Sequence, residues 1–194
     1  MISVAIDGPA GAGKSTLSRK LAEKLGFIYV DTGALYRAVG LKFTLIGADT
    51  DLNCDIEGVL ADTTVDIRFV EGEQRVFLDG KDVSDDIRTP KASMMASAVS
   101  AKPAVRAFLL DTQRELAKNN DCLMDGRDIG TVVLPNATVK IYLTASAEDR
   151  AMRRYKELIE KGQTVQYNDV YDDMVQRDYN DMHREIAPLK QAED

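Results

Sequence analysis

The sequence has one histidine, His183, and two cysteines, Cys54 and Cys122. The cysteines lie far apart and show no metal-type spacing, so a cysteine-built metal site has no support. Cys122 sits in an apolar run and reads as a core thiol, which fits a reducing cytoplasm. Positive charge is in deficit: 25 Lys and Arg against 32 Asp and Glu give a net charge of −7. That balance argues against a general nucleic-acid binder. It leaves room for a nucleotide, because local arginines can act inside an acidic protein. No apolar run approaches the length that crosses a membrane, so no membrane role is expected. There is no internal repeat and no low-complexity tract. The first residues read as a strand running into a loop rather than as a signal peptide. The 194 residues, 44% apolar and 29% charged, suit one soluble domain with a sizeable core and a small insertion.

What is present starts with Gly8-Pro9-Ala10-Gly11-Ala12-Gly13-Lys14-Ser15-Thr16, which fits the phosphate-binding pattern Gly-x-x-x-x-Gly-Lys-Ser/Thr. Ile2 to Ile6 precede it as a buried strand. Leu17, Leu21 and Leu25 follow at a helical interval, and Gly26 can end that helix. Strand, glycine loop and helix form the context the motif requires. Three glycines let the backbone turn several N–H groups toward one anion. The helix start adds free donors and partial positive charge. Lys14 brings a full charge to the β- and γ-phosphates, and the Ser15 hydroxyl can meet Mg²⁺. A glycine-rich turn that binds nothing is the plainer alternative.

Phe27 to Val30 read as a second strand. Asp31-Thr32-Gly33 then opens a helix whose apolar face is Leu35, Ala38, Val39, Phe43 and Ile46, with Gly47 as its stop. Strand–helix–strand–helix spacing predicts an α/β fold, a parallel sheet flanked by helices. The pattern changes at Asp55 to Ala61, a short helix. Val65 to Phe69 then alternate as a half-exposed strand, with turns at Glu71-Gly72-Glu73 and Asp79-Gly80. This predicts an antiparallel insertion over 63–85. Helices are expected over 90–101 and 103–118, strands at Cys122 to Asp125 and Val139 to Leu143, then a helix capped by Ser146 with Asp149. A last helix runs from about 168 to 184.

The second half of the chemistry is spread along the chain. Asp125 ends an apolar strand, where a carboxylate can hold the hydration shell of Mg²⁺ beside Ser15; an ordinary strand-end acid is the alternative. Arg127-Asp128 lie between glycines at the carboxyl end of a strand, where open α/β sheets place ligands; alone, the two could form a structural ion pair. Tyr36 and Arg37 follow the second strand. Arg150, Arg153 and Arg154 share one helix face, and Arg177 and Arg184 lie two turns apart on the last helix. Solvated charged faces are the usual explanation of such residues, but clustered like charges cost energy unless an anion sits among them. Two polyphosphate sites facing each other would use these arginines, because phosphoryl transfer spreads charge over oxygens. A phosphate acceptor is already ionised near neutral pH and needs no general base. That agrees with His183 as a surface residue.

Taken together, Gly8 to Thr16, Asp31-Thr32-Gly33-Ala34-Leu35-Tyr36-Arg37, Gly126-Arg127-Asp128-Ile129-Gly130-Thr131 and Arg184-Glu185-Ile186-Ala187-Pro188-Leu189 resemble the bacterial cytidylate kinase family along essentially the whole chain. The resemblance implies a P-loop kinase domain over 1–194, an insertion over 63–85 beside the monophosphate site, and a helical lid over 150–177. It implies transfer of the γ-phosphoryl group of ATP to CMP or dCMP with Mg²⁺. By position it implies Thr32, Tyr36, Arg37, Ser97, Arg106, Arg127, Asp128, Asp181 and Arg184 around CMP. Ser97, Arg106 and Asp128 would meet the cytosine, and Arg127 the phosphate. Lys14, Arg127, Arg150, Arg154 and Arg177 would carry catalysis. A cytoplasmic monomer is expected. Family members usually continue past Ala-Pro-Leu with a strand and a helix, so a core sheet lacking one edge strand is expected. The rival readings are a kinase for another small molecule, a GTP-dependent switch and a non-enzymatic nucleotide-binding regulator. The switch should carry an Asn-Lys-x-Asp motif, which this chain does not have.

Overall fold

The computed structural model describes residues 1–194. Four strands form the main sheet: β1 (Ser3–Asp7), β2 (Ile28–Asp31), β6 (Cys122–Gly126) and β7 (Val139–Tyr142). Their order is β2-β6-β1-β7 and every pairing is parallel. A parallel sheet is covered on both faces, which is why its central strands are apolar without alternation. Ala5, Cys122 and Met124 face one core with Leu35, Val39, Phe43, Val99 and Leu109. Val4, Ile6 and Leu123 face the other with Ala22. The first core lies under α2 (Thr32–Leu45), α4 (Pro90–Ser100) and α5 (Pro103–Asn119), the second under α1 (Lys14–Leu25). A fold of parallel strands flanked by helices is therefore what the spacing predicts.

The predicted leucine stripe of α1 is not its buried face. Leu17 and Leu25 are 41% and 48% exposed, whereas Lys14, Ser18 and Ala22 are buried. The helix is rotated so that Lys14 turns inward beneath the glycine loop. The stripe sits at the border of the sheet contact, and only Leu21 packs there. The face of α2 is as predicted through Phe43, but Ile46 lies beyond the helix end and is half exposed. Gly40 lets α4 approach: a Cβ at that position would stand 2.9 Å from the Met95 side chain.

A short helix, α3 (Ile56–Ala61), is capped by the Asp55 side chain. A separate antiparallel sheet follows: β3 (Val65–Val70), β4 (Glu73–Leu78) and β5 (Lys81–Asp82). Both of its turns hold two residues with positive φ, Glu71-Gly72 and Asp79-Gly80, the backbone that matches the twist of a two-residue hairpin. Val76, Leu78, Val83 and Ile87 pack on Ala34 and Ala38 of α2. After β7 come α6 (Ala147–Glu160), with Ser146 accepting from the Asp149 N–H at 3.1 Å, and α7 (Tyr167–His183). Arg184 is already extended, one residue short of the predicted helix end. One element had no signal in the sequence, a π turn over Ile129–Val133 directly after β6. No helix is long and apolar enough to cross a membrane.

Candidate active site

The glycine loop joins β1 to α1 at the carboxyl edge of the sheet. Gly8 has φ +150°, and a Cβ there would lie 1.9 Å from the Leu143 carbonyl oxygen, so only glycine lets the loop leave the sheet. Gly13 caps α1 in the left-handed region with no side-chain cap, which leaves the first N–H groups of the helix free. Lys14 Nζ donates to the Pro9 carbonyl at 2.8 Å. Burial, and after it the nearby Arg127 guanidinium, lower its pKa to about 7, with Asp125 and Asp7 opposing. An anion in the cleft would restore the full charge on this ammonium.

Asp125, at the end of β6, is buried, and desolvation raises its carboxyl to about 6, with Asp31 adding repulsion. The Ser15 hydroxyl, Lys14 and the Tyr29 hydroxyl favour its charged form; the Tyr29 phenol donates to it at 3.2 Å. No group of three His, Cys, Asp or Glu side chains is close enough to hold a metal. One carboxylate beside one hydroxyl fits a hard cation that takes its other ligands from phosphate oxygens and water. Thr32, at the start of α2, donates its hydroxyl to the Asp125 carbonyl at 2.7 Å and ties the ends of β2 and β6.

Opposite the loop lies a network of arginines and acids. The neighbours Arg127 and Asp128 do not pair with each other. Arg127 Nε donates to Asp181 of α7 at 2.8 Å. Asp128 accepts from Arg106 of α5 and, at 3.2 Å, from Arg184. Arg106 also stands 5.6 Å over the Tyr36 ring, and Arg184 reaches the Ser100 hydroxyl at 3.4 Å. Burial pushes Asp128 above the usual carboxylate range, and the two guanidiniums oppose that push. Arg37 Nη2 donates to Asp31 at 2.7 Å. Arg177 is lowered to about 10 by burial and by Arg127, and its Nε is buried with no partner.

The arginines of α6 divide. Arg150 is 4% exposed and fully engaged: it pairs with Asp178 of α7 and donates to the Ala10 carbonyl at 3.0 Å and the Ala145 carbonyl at 2.9 Å. It thus ties α6, α7 and the glycine loop together. Arg154 pairs with Glu157 at 3.2 Å, and Arg153 is exposed. Part of the like-charge cluster is therefore balanced by acids from the same two helices. His183 is exposed and stacks on Tyr179, with ring centroids 4.1 Å apart, away from this chemistry.

The glycine loop, Asp125 and the arginine network line one cleft of about 560 Å³. Of the residues singled out from the sequence, Ala10, Gly11, Gly13, Lys14, Ser15, Thr16, Thr32, Tyr36, Arg37 and Ser97 line it. So do Arg106, Asp125, Arg127, Asp128, Arg150, Arg154, Arg177, Asp181 and Arg184. Gly8, Pro9 and Ala12 do not; they shape the loop. Nor does any residue of 63–85.

Sequence reasoning missed Asp31, Ser93, Ser100 and Met174 on the wall. It also missed Asp7, which is buried and accepts from the N–H groups of Ile129 and Gly130 at 2.8 and 2.7 Å. Arg114 donates to the Val132 and Val133 carbonyls, both at 3.1 Å. Together they clamp both ends of the π turn that follows Asp128. An acid at the end of an apolar strand, immediately before a glycine loop, was a signal that could have found Asp7.

A family model of cytidylate kinases matches residues 4–194. A cytidylate kinase of Caldicellulosiruptor bescii is 54% identical over 193 residues, which cover 100% of this chain and 85% of the relative. One from Thermosipho africanus is 49% identical, covering 98% of this chain and 83% of the relative. One from Lactobacillus johnsonii is 48% identical, covering 100% and 84%. With the family model spanning residues 4–194 and these relatives matching nearly the whole chain, the chain belongs to the cytidylate kinase family.

Proposed function

We propose that this chain transfers the γ-phosphoryl group of ATP to CMP or dCMP, giving ADP and CDP or dCDP. The observation that carries this reading is a single cleft with an anion cradle at one end and a buried Arg106–Asp128–Arg184 cluster at the other. Arg127 lies between them, close enough to bear on both Lys14 and Asp128. ATP would lay its phosphates along Gly11 to Thr16, with Lys14 on the β- and γ-phosphates. The acceptor phosphate would lie against Arg37 and Arg127. Asp181 would meet the ribose, and Ser97, Arg106 and Asp128 the base. Asp128 can accept from the amino group of cytosine and would repel the carbonyl oxygen that uracil carries at that position, a mismatch that discriminates strongly when buried.

Charge spreads over the equatorial oxygens during transfer, so cations fixed around that point are the main catalytic device. Arg127 and Arg177 suit this task, Arg177 through its unpartnered Nε. Arg150 would act by holding the loop, and Arg154 would come in from the lid. Ser15 and Asp125 would hold Mg²⁺, directly or through water; the ion, when bound, supplies positive charge to the β- and γ-phosphates. The reading takes 1–194 as one P-loop kinase domain with an insertion over 63–85 and a lid over 150–177. Closure of such a lid would keep water from competing for the γ-phosphoryl group. It also takes the chain as a cytoplasmic monomer.

A coupled ADP-release assay with CMP, dCMP, UMP, AMP and GMP tests the reading. Turnover should be fastest with CMP or dCMP. Preference for AMP or GMP, or ATP consumption indifferent to any monophosphate, would overturn it.

A further inference from the structure

The antiparallel sheet stands next to the cleft, yet none of its residues lines it. Apart from its apolar packing on Ala34 and Ala38 of α2, its hydrogen-bonded link to the site runs through one side chain, Gln74 of β4. β2 is an edge strand of the parallel sheet, so at Asp31 its outer N–H has no neighbouring strand, while its carbonyl, at the N-cap of α2, accepts the first bond of that helix. The Gln74 amide supplies the missing acceptor and adds a second donor to that carbonyl. Asp31 N–H donates to Gln74 Oε1 at 2.8 Å, and Gln74 Nε2 donates to the Asp31 carbonyl at 3.3 Å. Because the backbone offers one donor and one acceptor, only one orientation of the amide satisfies both. The side chain thus bridges the two sheets as a single extra rung.

Asp31 is the residue that orders the start of α2. One carboxylate oxygen accepts from the Ala34 N–H at 3.1 Å and caps the helix. The other accepts from Arg37 Nη2 at 2.7 Å. Arg37 lines the cleft. A shift of the Asp31 backbone therefore moves the cap and the arginine anchor together. The hydrogen bonds of Gln74 fix that backbone from a segment 43 residues away in sequence.

We infer that Gln74 is a positioning residue for the acceptor nucleotide, through which the antiparallel sheet sets where Arg37 is held. The inference rests on the proposed reaction, because it assigns Arg37 to the acceptor phosphate. Gln74 touches no substrate; it acts through Asp31. The role is one-sided. Gln74 does not reach the glycine loop, so its loss should disturb CMP and leave ATP alone.

The test compares the full chain with Gln74→Leu, which keeps the volume and loses both hydrogen bonds, and Gln74→Asn, which keeps the amide but falls short of Asp31. Steady-state constants are measured for CMP at saturating ATP and for ATP at saturating CMP, with a melting curve for each protein. In both variants the KM for CMP should rise about tenfold, the effect of losing one or two partly buried hydrogen bonds. The KM for ATP should stay within about twofold, because uniform binding is lost on one side only. A CMP KM within twofold of the parent in either variant overturns the inference and leaves the proposed reaction standing. Equal rises in both KM values with a lower Tm also overturn it, since that is the mark of a merely structural bond. If the parent makes no CDP from CMP, the reading and the inference fall together.

Discussion

Replacing Asp128 by asparagine tests whether one carboxylate holds the acceptor end of the cleft together. Asp128 is 4% exposed and takes Arg106 on one oxygen and Arg184 on the other. Asparagine keeps the shape but removes the charge that balances two guanidiniums whose side chains are only 9% and 7% exposed. Leaving buried cations without their counter-charge costs about 3–5 kcal/mol. In a chain of this size each kcal/mol lowers Tm by about 2–4 °C, so Asp128→Asn should melt about 6–20 °C below the parent. The same change alters what a base would meet. An amide can donate as well as accept, so the uracil carbonyl is no longer repelled. The ratio of kcat/KM for CMP to that for UMP should fall at least about tenfold, or 1.4 kcal/mol. Thermal scans by circular dichroism and coupled ADP release with the two nucleotides provide both readouts. A variant that melts within about 2 °C of the parent and keeps its CMP preference would refute the ion cluster as a structural support and as a base reader.

Arg127→Ala should cut kcat by about a thousandfold, the scale of an arginine lost from a transferring phosphoryl group. Calorimetry should show ATP binding changed only a few-fold, and turnover close to that of the parent would remove Arg127 from catalysis. Gly8→Ala forces a Cβ to within 1.9 Å of the Leu143 carbonyl oxygen, so it should yield little folded protein by circular dichroism; a parental melting curve contradicts that packing. Cys54 is exposed, whereas Cys122 is fully buried and its thiol is pushed up to about 11. At about pH 8 a disulfide reagent should therefore titrate one thiol in the native chain and two in denaturant, and two fast thiols in the native state would show that β6 is not buried as described.

The glycine cradle was legible because its chemistry is local. Strand, loop and helix start are contiguous, and Gly13 and Lys14 act within a few residues of their places in the chain, although what makes Gly8 obligatory is the distant Leu143 carbonyl. The hairpins over 65–82 were legible for the same reason, since Glu71-Gly72 and Asp79-Gly80 set their own turns. The arginine network was legible as a set of charges but not as a set of pairs. Arg127 and Asp128 are neighbours in sequence, yet their partners are Asp181, Arg106 and Arg184, which lie 54, 22 and 56 residues away and are delivered by α7, by α5 and by the extended residue that follows α7. Arg150 was legible as a cation on a helix face; that Asp178 holds it depends on how α6 packs against α7. The α1 stripe marked the helix but not its buried face, because hydrophobic spacing reports which residues share a face, not which face the loop turns toward the sheet. The π turn left no pattern at all, since Asp7 and Arg114 fix it from elements far along the chain.

Following the terminal phosphoryl group itself gives the most direct test. The full chain is incubated with ATP labelled at the γ-position, Mg²⁺ and CMP, and the products are separated by chromatography. The account predicts label in CDP, with little released as inorganic phosphate and much less label transferred to UMP or AMP. Label appearing as inorganic phosphate while CMP remains unchanged would contradict it.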